Sequence, residues 1–378
     1  MKICATIAEF NPFHNGHSYL VNAFKHEYDG TVAIMSGNFV QRGAPSIFNK
    51  FSRAKAAIAS GVDLVIELPA IYALSSAETF AAGSVKTLNA TGCIDTLFFG
   101  SENGDIDLLT QIASISATES DEFKAMLREK MSGGISYPKA LCEIYALHGF
   151  DAEAVSSPNN ILGIEYIKAL IRTQSSIVPK TLKRHGASHD SFVASHSIAS
   201  ASHIRSLFEK GSFTDNFMPY FPYPSPVFEK DFANIVLYAL KSASHSDLTK
   251  IPDCSEELAS RIIAASSRTS VEDIISSVKS KNFTESRIRR IIWNRVIKNN
   301  LSPQLDPTYI RVLAQNKRGG EIISHMKKHS SIPVVQKSVE LKEDEIFAVE
   351  ARATDIYNIP LHLPSGEEFR YSPIQIKD

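Results

Sequence analysis

The sequence has few cysteines, no long apolar run and no repeated or low-complexity segment. Its four cysteines are scattered, without a CxxC pair or a histidine partner at zinc spacing, which argues against a disulfide framework and a zinc site. No apolar stretch approaches the roughly 20 residues that a membrane-spanning helix needs, and Met1-Lys2 leads into a strand pattern instead of a signal peptide. We therefore expect reduced thiols in a cytoplasmic protein that does not contact a membrane.

The 378 residues exceed a typical single domain, so two or three folded units are expected. The composition, 43% hydrophobic and 21% charged, is ordinary for a globular chain. The net charge of −1 conceals one basic segment, because twelve basic residues stand against three acidic ones between residues 279 and 328. Such a local excess of positive charge indicates a polyanionic partner.

The first twenty residues carry the clearest functional signal. An apolar run from Ile3 to Ala8 is followed by the turn Glu9-Phe10-Asn11-Pro12-Phe13-His14-Asn15-Gly16-His17 and then by a helical pattern. This order is typical of a first βα unit. In open α/β sheets, ligands bind at the carboxyl ends of the strands, where the free N–H groups and the dipole of a following helix attract phosphate. The pattern predicts a nucleotide site.

Within that turn, two histidines flank a glycine; residues 14–17 are called the HxGH turn below. Gly16 lets a phosphate approach the backbone closely, since it has no Cβ. His14 and His17 could donate hydrogen bonds to a nucleoside triphosphate whose α-phosphate is under attack, and so stabilise the developing charge. The alternative is that both are ordinary polar loop residues, but their position between the first strand and the first helix favours the catalytic interpretation.

Later segments would bring further residues to the same edge of the sheet. Arg42 follows a second apolar run, and Lys50 and Arg53 share one face of a helix capped by Asn49. This pair could reach a triphosphate, although a solvated helix face is the commoner use of such charges. If the strand order is 3-2-1-4, Gly100 at the end of the fourth strand lies beside the HxGH turn.

The segments that follow supply three more groups of candidates. Asn160 lies in the first turn of a helix and has the donor and acceptor that base or ribose recognition needs, although asparagine there is more often a cap. Arg184 and His185 follow a fifth strand, where adenine or phosphate contacts would lie. A later helix begins with hydroxyl groups and an arginine that could clamp phosphate, the alternative being a capped surface helix: Ser200, Ser202 and Arg205.

The basic segment follows a proline-rich linker, and residues 228–330 are expected to be helical. Its charged residues recur around apolar ones at near-helical intervals, so one face would be basic and another buried. The candidates for contact with a nucleic acid are Arg287, Arg290, Arg295, Lys298, Arg311, Lys317 and Arg318.

These motifs resemble those of the bacterial tRNA(Met) cytidine acetate ligase family, which belongs to the nucleotidyltransferase superfamily that uses a HxGH or TxGH turn. The resemblance runs from about residue 3 to about residue 355. It rests on the turn at 9–17, SGNFVQRG at 36–43, the serine-rich turn before Ile204-Arg205, and the segments 309–313 and 316–319.

The resemblance implies a reaction and its substrates. Acetate would be activated by ATP to acetyl-adenylate with loss of pyrophosphate, and the acetyl group would pass to N4 of the wobble cytidine of elongator tRNA(Met). Mg²⁺ would accompany ATP, although the sequence contains no metal-binding motif. The catalytic candidates are His14, His17, Arg42 and Lys50. The ATP-binding candidates are Ile7, Ala8, Glu9, Phe10, Asn11, Pro12, Phe13, His14, Asn15, Gly16, His17, Ser18, Tyr19, Leu20, Gly100, Asn160, Arg184, His185, Ser200, Ser202 and Arg205.

The expected fold is α/β, with a doubly wound parallel sheet of the nucleotidyltransferase-like Rossmann type in residues 1–212. A mainly helical, basic tRNA-binding domain would follow in 213–330, and a small C-terminal α/β subdomain in 331–378. Two other functions stay open. A nucleotidyltransferase acting on a small phosphorylated acceptor would not need the basic domain, and a non-catalytic, ATP-dependent RNA-binding protein would not need an intact HxGH turn.

Overall fold

The computed structural model describes residues 1–118, 120–133, 135, 137–184, 198–212, 214 and 216–376. The strands are β1 Ile3–Ala8, β2 Gly30–Ser36, β3 Phe39–Val40, β4 Ala44–Pro45, β5 Leu64–Leu68, β6 Thr96–Ser101, β7 Val178–Lys183, β8 Ile310–Gln315, β9 Val334–Val335 and β10 Ile374–Gln375.

The α-helices and two 3₁₀ turns connect these strands. In the first half of the chain the helices are α1 Asn15–Lys25, α2 Lys50–Ala59, α3 Ala70–Ala73, α4 Ala77–Ala90, α5 Ile106–Ala117, α6 Asp121–Ser132, α7 Tyr137–Leu147, α8 Ala152–Ser156 and α9 Pro158–Arg172. In the second half they are α10 Ala201–Glu209, α11 Ala233–Lys241, α12 His245–Thr249, α13 Glu256–Ala265, α14 Val271–Val278, α15 Glu285–Val296, α16 Lys317–His329, α17 Glu345–Asn358 and α18 Glu367–Arg370, with 3₁₀ turns at Glu229–Phe232 and Ser338–Leu341.

One eight-stranded sheet organises the chain, in the order β10-β8-β5-β2-β1-β6-β7 with β9 beside β8. The five strands from β5 to β7 are parallel, and β1 lies between β2 and β6. This confirms the predicted order 3-2-1-4 and adds the fifth strand next to the fourth. Because β1 and β2 are covered on both faces, they are almost continuously apolar and buried. The strand order reverses at β1, so a ligand crevice is expected at its carboxyl end.

The basic segment is not wholly helical, contrary to the sequence-based expectation. Ile310–Gln315 forms β8, which pairs antiparallel with β5, and all six of its residues are buried. An apolar run of this length suits a buried strand as well as a helix, and the sequence alone does not distinguish the two. The proposed boundaries at 212 and 330 therefore divide a sheet to which β8 and β10 also belong.

A shared apolar core joins the helical segment to the sheet. Trp293 of α15 and Ile262 of α13 belong to the same buried cluster as Ile66 of β5 and Leu97 of β6. The helices therefore pack on the sheet instead of forming a separate core. Along the described residues, no helix combines the length and apolar character needed to cross a bilayer.

Candidate active site

A cavity opens at the carboxyl ends of β1 and β6, where α1 and α10 begin. It encloses about 1210 Å³ including its mouth. The predicted residues that line it are Ile7, Ala8, Glu9, Phe10, Asn11, His14, His17, Leu20, Arg42, Gly100, Arg184, Ser200 and Arg205. The other predicted residues of the first turn and helix are not among those that line it: Pro12, Phe13, Asn15, Gly16, Ser18 and Tyr19. His185 lies outside the described residues.

The HxGH turn fixes the orientation of two imidazoles. His14 is the N-cap of α1, and its Nδ1 accepts a hydrogen bond from the Gly16 N–H at 3.1 Å. The Nδ1 of His17 accepts from the His14 N–H at 3.2 Å, and the two rings stack with centroids 3.7 Å apart. Because both Nδ1 atoms are acceptors, the proton of each neutral imidazole lies on Nε2. Both histidines line the cavity.

His17 is held in its neutral form. Burial lowers its pKa well below the ordinary value, and the nearby His14 and Arg184 lower it further. The rings of Phe10 and Phe13 pack around it, with centroids 4.9 and 5.4 Å from the imidazole centroid. His17 can thus stabilise a developing negative charge as a hydrogen-bond donor without first carrying a proton on both nitrogens.

The start of α10 forms the opposite wall. Ser200 caps this helix by accepting from the His203 N–H at 3.1 Å. Arg205 donates to the Asn11 carbonyl at 2.9 Å and to the Ser202 hydroxyl at 3.0 Å. Arg205 thereby ties α10 to the turn after β1. Ser202 orients this arginine and does not itself line the cavity.

The electrostatic character of the cavity suits a polyphosphate. Arg42, Arg184 and Arg205 line it, and Glu9 is the one carboxylate that the described residues add to the lining. Two helix N-termini also point their dipoles toward it. Glu9 accepts the Gln41 N–H at 2.8 Å, which anchors the loop that carries Arg42. Burial raises the pKa of Glu9, while that hydrogen bond and the surrounding arginines counteract the shift.

The wall beside β6 is built differently from the sequence-based expectation. The side chain of Asn160 is buried, because its Oδ1 accepts from the Glu102 N–H at 3.0 Å and its Nδ2 donates to the Ala154 carbonyl at 3.1 Å. Asn159 lines the cavity instead. Its side-chain amide donates to the Glu102 carboxylate at 2.7 Å. Nothing in the sequence distinguishes these adjacent asparagines.

Gly100 lies beside the HxGH turn, where the predicted strand order puts it, but the space it leaves is filled by an arginine. A Cβ at Gly100 would lie 3.1 Å from Cγ of Arg184. The Arg184 side chain therefore crosses the glycine on its way to the cavity.

Lys50 lies away from the cavity, in a group called here the buried ion cluster: Lys50, Glu67, Arg311, Glu350 and Glu368. Its ammonium contacts Glu67, Glu350 at 2.7 Å and Glu368 at 2.5 Å, and the lysine and these carboxylates have no exposed side-chain surface. Three carboxylates inside the protein hold this charge, so it cannot reach a triphosphate. The expectation that Lys50 is catalytic is therefore corrected: we assign it to the fold.

Arg311 belongs to the same cluster, which corrects its expected contact with a nucleic acid. Its guanidinium pairs with Glu67 at 2.9 Å and with Glu368, and 1% of its side chain is exposed. Burial and the charge of Glu67 raise the pKa of Glu350 to about 7. For Glu67, Lys50 and Arg311 outweigh the effect of burial and lower the pKa to about 2.

Arg53 is also a structural residue. Its guanidinium is buried and donates to backbone carbonyls at the ends of two strands: Ser36 at 3.1 Å, Gly37 and Glu9. It therefore holds the turns after β1 and β2 together. The sequence had suggested a triphosphate contact for this side chain.

The remaining basic candidates lie in two groups, one near the carboxyl ends of the parallel strands and one near their amino ends. Those of α15 lie beside the cavity loop, because a Cβ at Gly43 would come within 2.5 Å of the Arg290 backbone nitrogen. Lys317 and Arg318 begin α16, whose preceding Asn316 N–H bonds to the carbonyl of Asp63 at the start of β5. This is the amino-terminal end of the parallel strands, opposite the cavity. The predicted nucleic-acid contacts therefore do not form one surface.

The whole chain is similar to proteins of one kind. The family model described as HIGH Nucleotidyl Transferase matches residues 1–369. The tRNA(Met) cytidine acetate ligase of Thermoanaerobacter sp. (strain X514) is 40% identical over 386 residues, covering 95% of each chain. The protein of that name from Clostridium novyi (strain NT) is 37% identical over 402 residues, covering 100% of each.

Solved structures agree with these relatives. The apo crystal structure of Thermotoga maritima TmcAL superposes with a TM-score of 0.94 at 31% identity, over 100% of both chains. The structure of that protein bound with alpha-thio ATP gives a TM-score of 0.89, again at 31% identity and full coverage. The likeness extends over the full length of each chain.

Proposed function

We infer the chemistry of the cavity from one premise, that the chain belongs to the tRNA(Met) cytidine acetate ligase family of HIGH nucleotidyltransferases. The enzyme is a ligase that modifies tRNA and binds ATP. We propose that it activates acetate with ATP and transfers the acetyl group to N4 of the wobble cytidine of elongator tRNA(Met), which gives N4-acetylcytidine. ATP and tRNA are cytoplasmic substrates, and we propose the cytoplasm as the site of action.

In the first step, an acetate oxygen attacks the α-phosphorus of ATP, and the bond to the bridging oxygen breaks to release pyrophosphate. Negative charge spreads over the α-phosphate oxygens in this transition state. The Nε2–H groups of His14 and His17 are our candidates for stabilising that charge, because their Nδ1 atoms are already occupied by backbone N–H groups. This paired orientation is the observation that carries the proposal.

The leaving pyrophosphate would lie between the starts of α1 and α10. Ser200 and Arg205 line this side of the cavity, and Arg205 is held by Asn11 and Ser202. An arginine that is already oriented loses less conformational freedom when it binds phosphate. Arg42 and Arg184 would balance the remaining charge of ATP, and Asn159 is a candidate for contact with the nucleoside.

In the second step, the cytidine N4 attacks the acetyl carbonyl of the mixed anhydride, AMP leaves and N4 loses a proton. Acetate alone is a poor acyl donor, and adenylation gives it a good leaving group. The half-buried carboxylate of Glu9 lies in the same cavity and is our candidate to accept the proton lost from N4.

A protein-held Mg²⁺ does not fit the described residues of the cavity. The described part of the chain contains no group of three or more His, Cys, Asp or Glu side chains placed to hold a metal ion. Glu9 is the one carboxylate of the described lining, and it already accepts the Gln41 N–H. We therefore propose that Mg²⁺ enters on the phosphate oxygens of ATP and is not held by the described residues.

The tRNA would contact the basic residues of α15 and its C-terminal end, namely Arg287, Arg290, Arg295 and Lys298. The close approach of Gly43 to α15 supports this choice, because it brings the helix beside the loop that carries Arg42. Contacts of this kind act mainly on phosphates, so binding should weaken steeply with salt. Lys317 and Arg318 are omitted from this surface, since they lie at the opposite end of the parallel strands.

Acetate-dependent exchange of labelled pyrophosphate into ATP tests the first step. We expect exchange with acetate but much less with propionate or glycine, and a loss of about 10²- to 10³-fold in His17→Ala, the usual cost of removing one donor to a transition-state charge. His26→Ala is the matched control, since His26 is exposed just beyond the C-terminal end of α1.

A negative result would point to one of the alternatives. If no carboxylate supports exchange with or without tRNA, the ligase assignment of this cavity is wrong, and phosphorylated acceptors should be screened. If His17→Ala keeps its full function in cells, a non-catalytic role of ATP would be favoured.

A further inference from the structure

A second cavity lies beside the first, between the α3–α4 region and the helical segment. It encloses about 1310 Å³ including its mouth. One side comes from residues 71–79 of α3 and α4, and the other from residues 249–254 and 290–304. Buried apolar side chains, such as Ile71, Leu74 and Ile291, form part of its lining, while Asn300 and Gln304 are exposed. The lining therefore combines buried apolar side chains with polar ones, as a pocket for an aromatic ligand that also carries polar groups requires.

Arg290 is a buried cation in this cavity, and its ion pair with Asp253 is a weak one. The residue is 9% exposed, and its ion pair with Asp253 has an N···O distance of 3.8 Å, longer than a hydrogen bond. The guanidinium has five N–H donors, so most of its capacity is available to a ligand. By contrast, the amides of Asn294 and Asn299 are used in joining the two sides, through the Leu74 carbonyl and through each other.

The two cavities share a thin wall. Thr79 lines the second cavity and Phe80, the next residue of α4, lines the first. Gln41 lines the first cavity, and its side chain donates to the carbonyl of Ser75, a lining residue of the second, at 3.1 Å. A ligand that reached into the first cavity and continued along the chain of a polymer would therefore meet the second.

RNA is such a ligand under the proposed function, on which this inference rests. An exocyclic amine can enter a cavity only when its base leaves the stack. Single-stranded loops are commonly recognised by splaying neighbouring bases into separate pockets and bonding their edges or phosphates. We propose that the second cavity binds one unstacked nucleotide adjacent to the acetylated cytidine, with Arg290 donating hydrogen bonds to it.

Two variants test this proposal from opposite directions. Arg290→Gln removes the charge and keeps most of the volume, while Asn300→Trp fills the mouth from an exposed position. Their controls are Arg261→Gln, on an arginine paired with Glu257 at the surface, and Ser267→Trp in an exposed turn. We expect kcat/KM for acetylation of the tRNA to fall about tenfold or more in both test variants, as for the loss of one base contact, and to stay within twofold in the controls.

Exchange of pyrophosphate without tRNA reports separately on the ATP cavity and on folding. If exchange fails in the native enzyme both with and without tRNA, the proposed function is wrong; if exchange succeeds, the RNA assays judge the second cavity alone. In these assays, an abasic site on one side of the target cytidine should lower kcat/KM for the native enzyme about tenfold. The same abasic site should lower kcat/KM little further in Asn300→Trp, because the contact between the flanking nucleotide and the second cavity is already lost in that variant.

The proposal would be overturned if the effect of the abasic sites did not depend on the Asn300→Trp substitution. If abasic sites on both sides of the cytidine reduce acetylation equally in the native enzyme and in Asn300→Trp, no flanking nucleotide occupies this cavity. Test variants that acetylate tRNA as well as their controls would lead to the same conclusion.

Discussion

Replacing Lys50 with methionine should unfold the protein more easily without disabling its chemistry. In the buried ion cluster, Lys50 and Arg311 face Glu67, Glu350 and Glu368, and all five side chains are 0 or 1% exposed. Methionine has a similar length but no charge, so Arg311 would be left with three carboxyl groups. Removing one partner of a buried ion pair costs about 3–5 kcal/mol, because the remaining charge is neither solvated nor balanced. We expect the free energy of unfolding of Lys50→Met to fall by that amount.

Urea denaturation followed by tryptophan fluorescence measures this change. The single tryptophan, Trp293, is buried in the core that joins the helices to the sheet, and its ring lies 5.1 Å from that of Phe39. Lys55→Met is the matched control, because Lys55 is exposed on the same helix. Its unfolding midpoint should stay close to that of the native protein. The double variant Lys50→Met/Glu350→Gln should recover part of the loss, since it also removes a buried carboxyl group.

Activity separates the structural role of Lys50 from a catalytic one. Pyrophosphate exchange, expressed per folded molecule below the unfolding transition, should stay within a few-fold of the native rate in Lys50→Met. The reasoning would be refuted by a Lys50→Met protein as stable as Lys55→Met whose exchange is a hundredfold slower. That result would mean that the ammonium acts on the substrate.

Three further predictions concern separate parts of the structure. The pKa of Glu350 is raised to about 7 in the folded protein, whereas it lies near 4.5 in the unfolded chain. The native state therefore keeps this proton to higher pH than the unfolded state does. The contribution of Glu350 to stability is present below pH 4.5 and is lost as the pH rises to 7. Glu350→Gln should remove that pH dependence, about 3 kcal/mol in unfolding experiments between pH 4.5 and 7; an unchanged slope would contradict it. Arg205→Ala should raise KM for ATP about tenfold or more in the exchange assay, since a charge-assisted hydrogen bond contributes about 1.5–3 kcal/mol; an unaltered KM would argue against a phosphate contact. Gly43 has φ +78° and no room for a Cβ against α15, so Gly43→Ala should lower the thermal midpoint by several degrees. Gly211 also has a positive φ but open space around it, so Gly211→Ala should lower the midpoint less.

Local sequence patterns predicted the parts of the fold that depend on neighbouring residues. The apolar run before the HxGH turn predicted β1, and Asn49 caps α2 as expected, accepting from the Ser52 N–H at 2.8 Å. The strand order followed because parallel sheets allow few connections between successive βα units. Gly100 therefore lies beside the turn, as predicted.

Contacts between distant residues were not accessible from the sequence. Arg311 and Glu67 are 244 positions apart, and no local pattern indicates that a basic residue within a basic segment is buried. A lysine on a helix face can contact phosphate, and the local sequence of Lys50 does not indicate that two of its carboxylate partners come from α17 and α18. Glu102 engages the amides of both Asn159 and Asn160, and only the packing of distant segments decides that Asn160 is buried and Asn159 lines the cavity.

The late position of β8 in the chain has a consequence for biosynthesis. During translation, the ribosome releases β5 long before residues 310–315, so that edge of the nascent sheet has no partner while about two thirds of the protein is made. An apolar, unpaired strand edge invites association with other chains. Truncated versions that end near residue 212 should therefore aggregate when expressed. The intact polypeptide should depend on chaperones until its last fifth emerges.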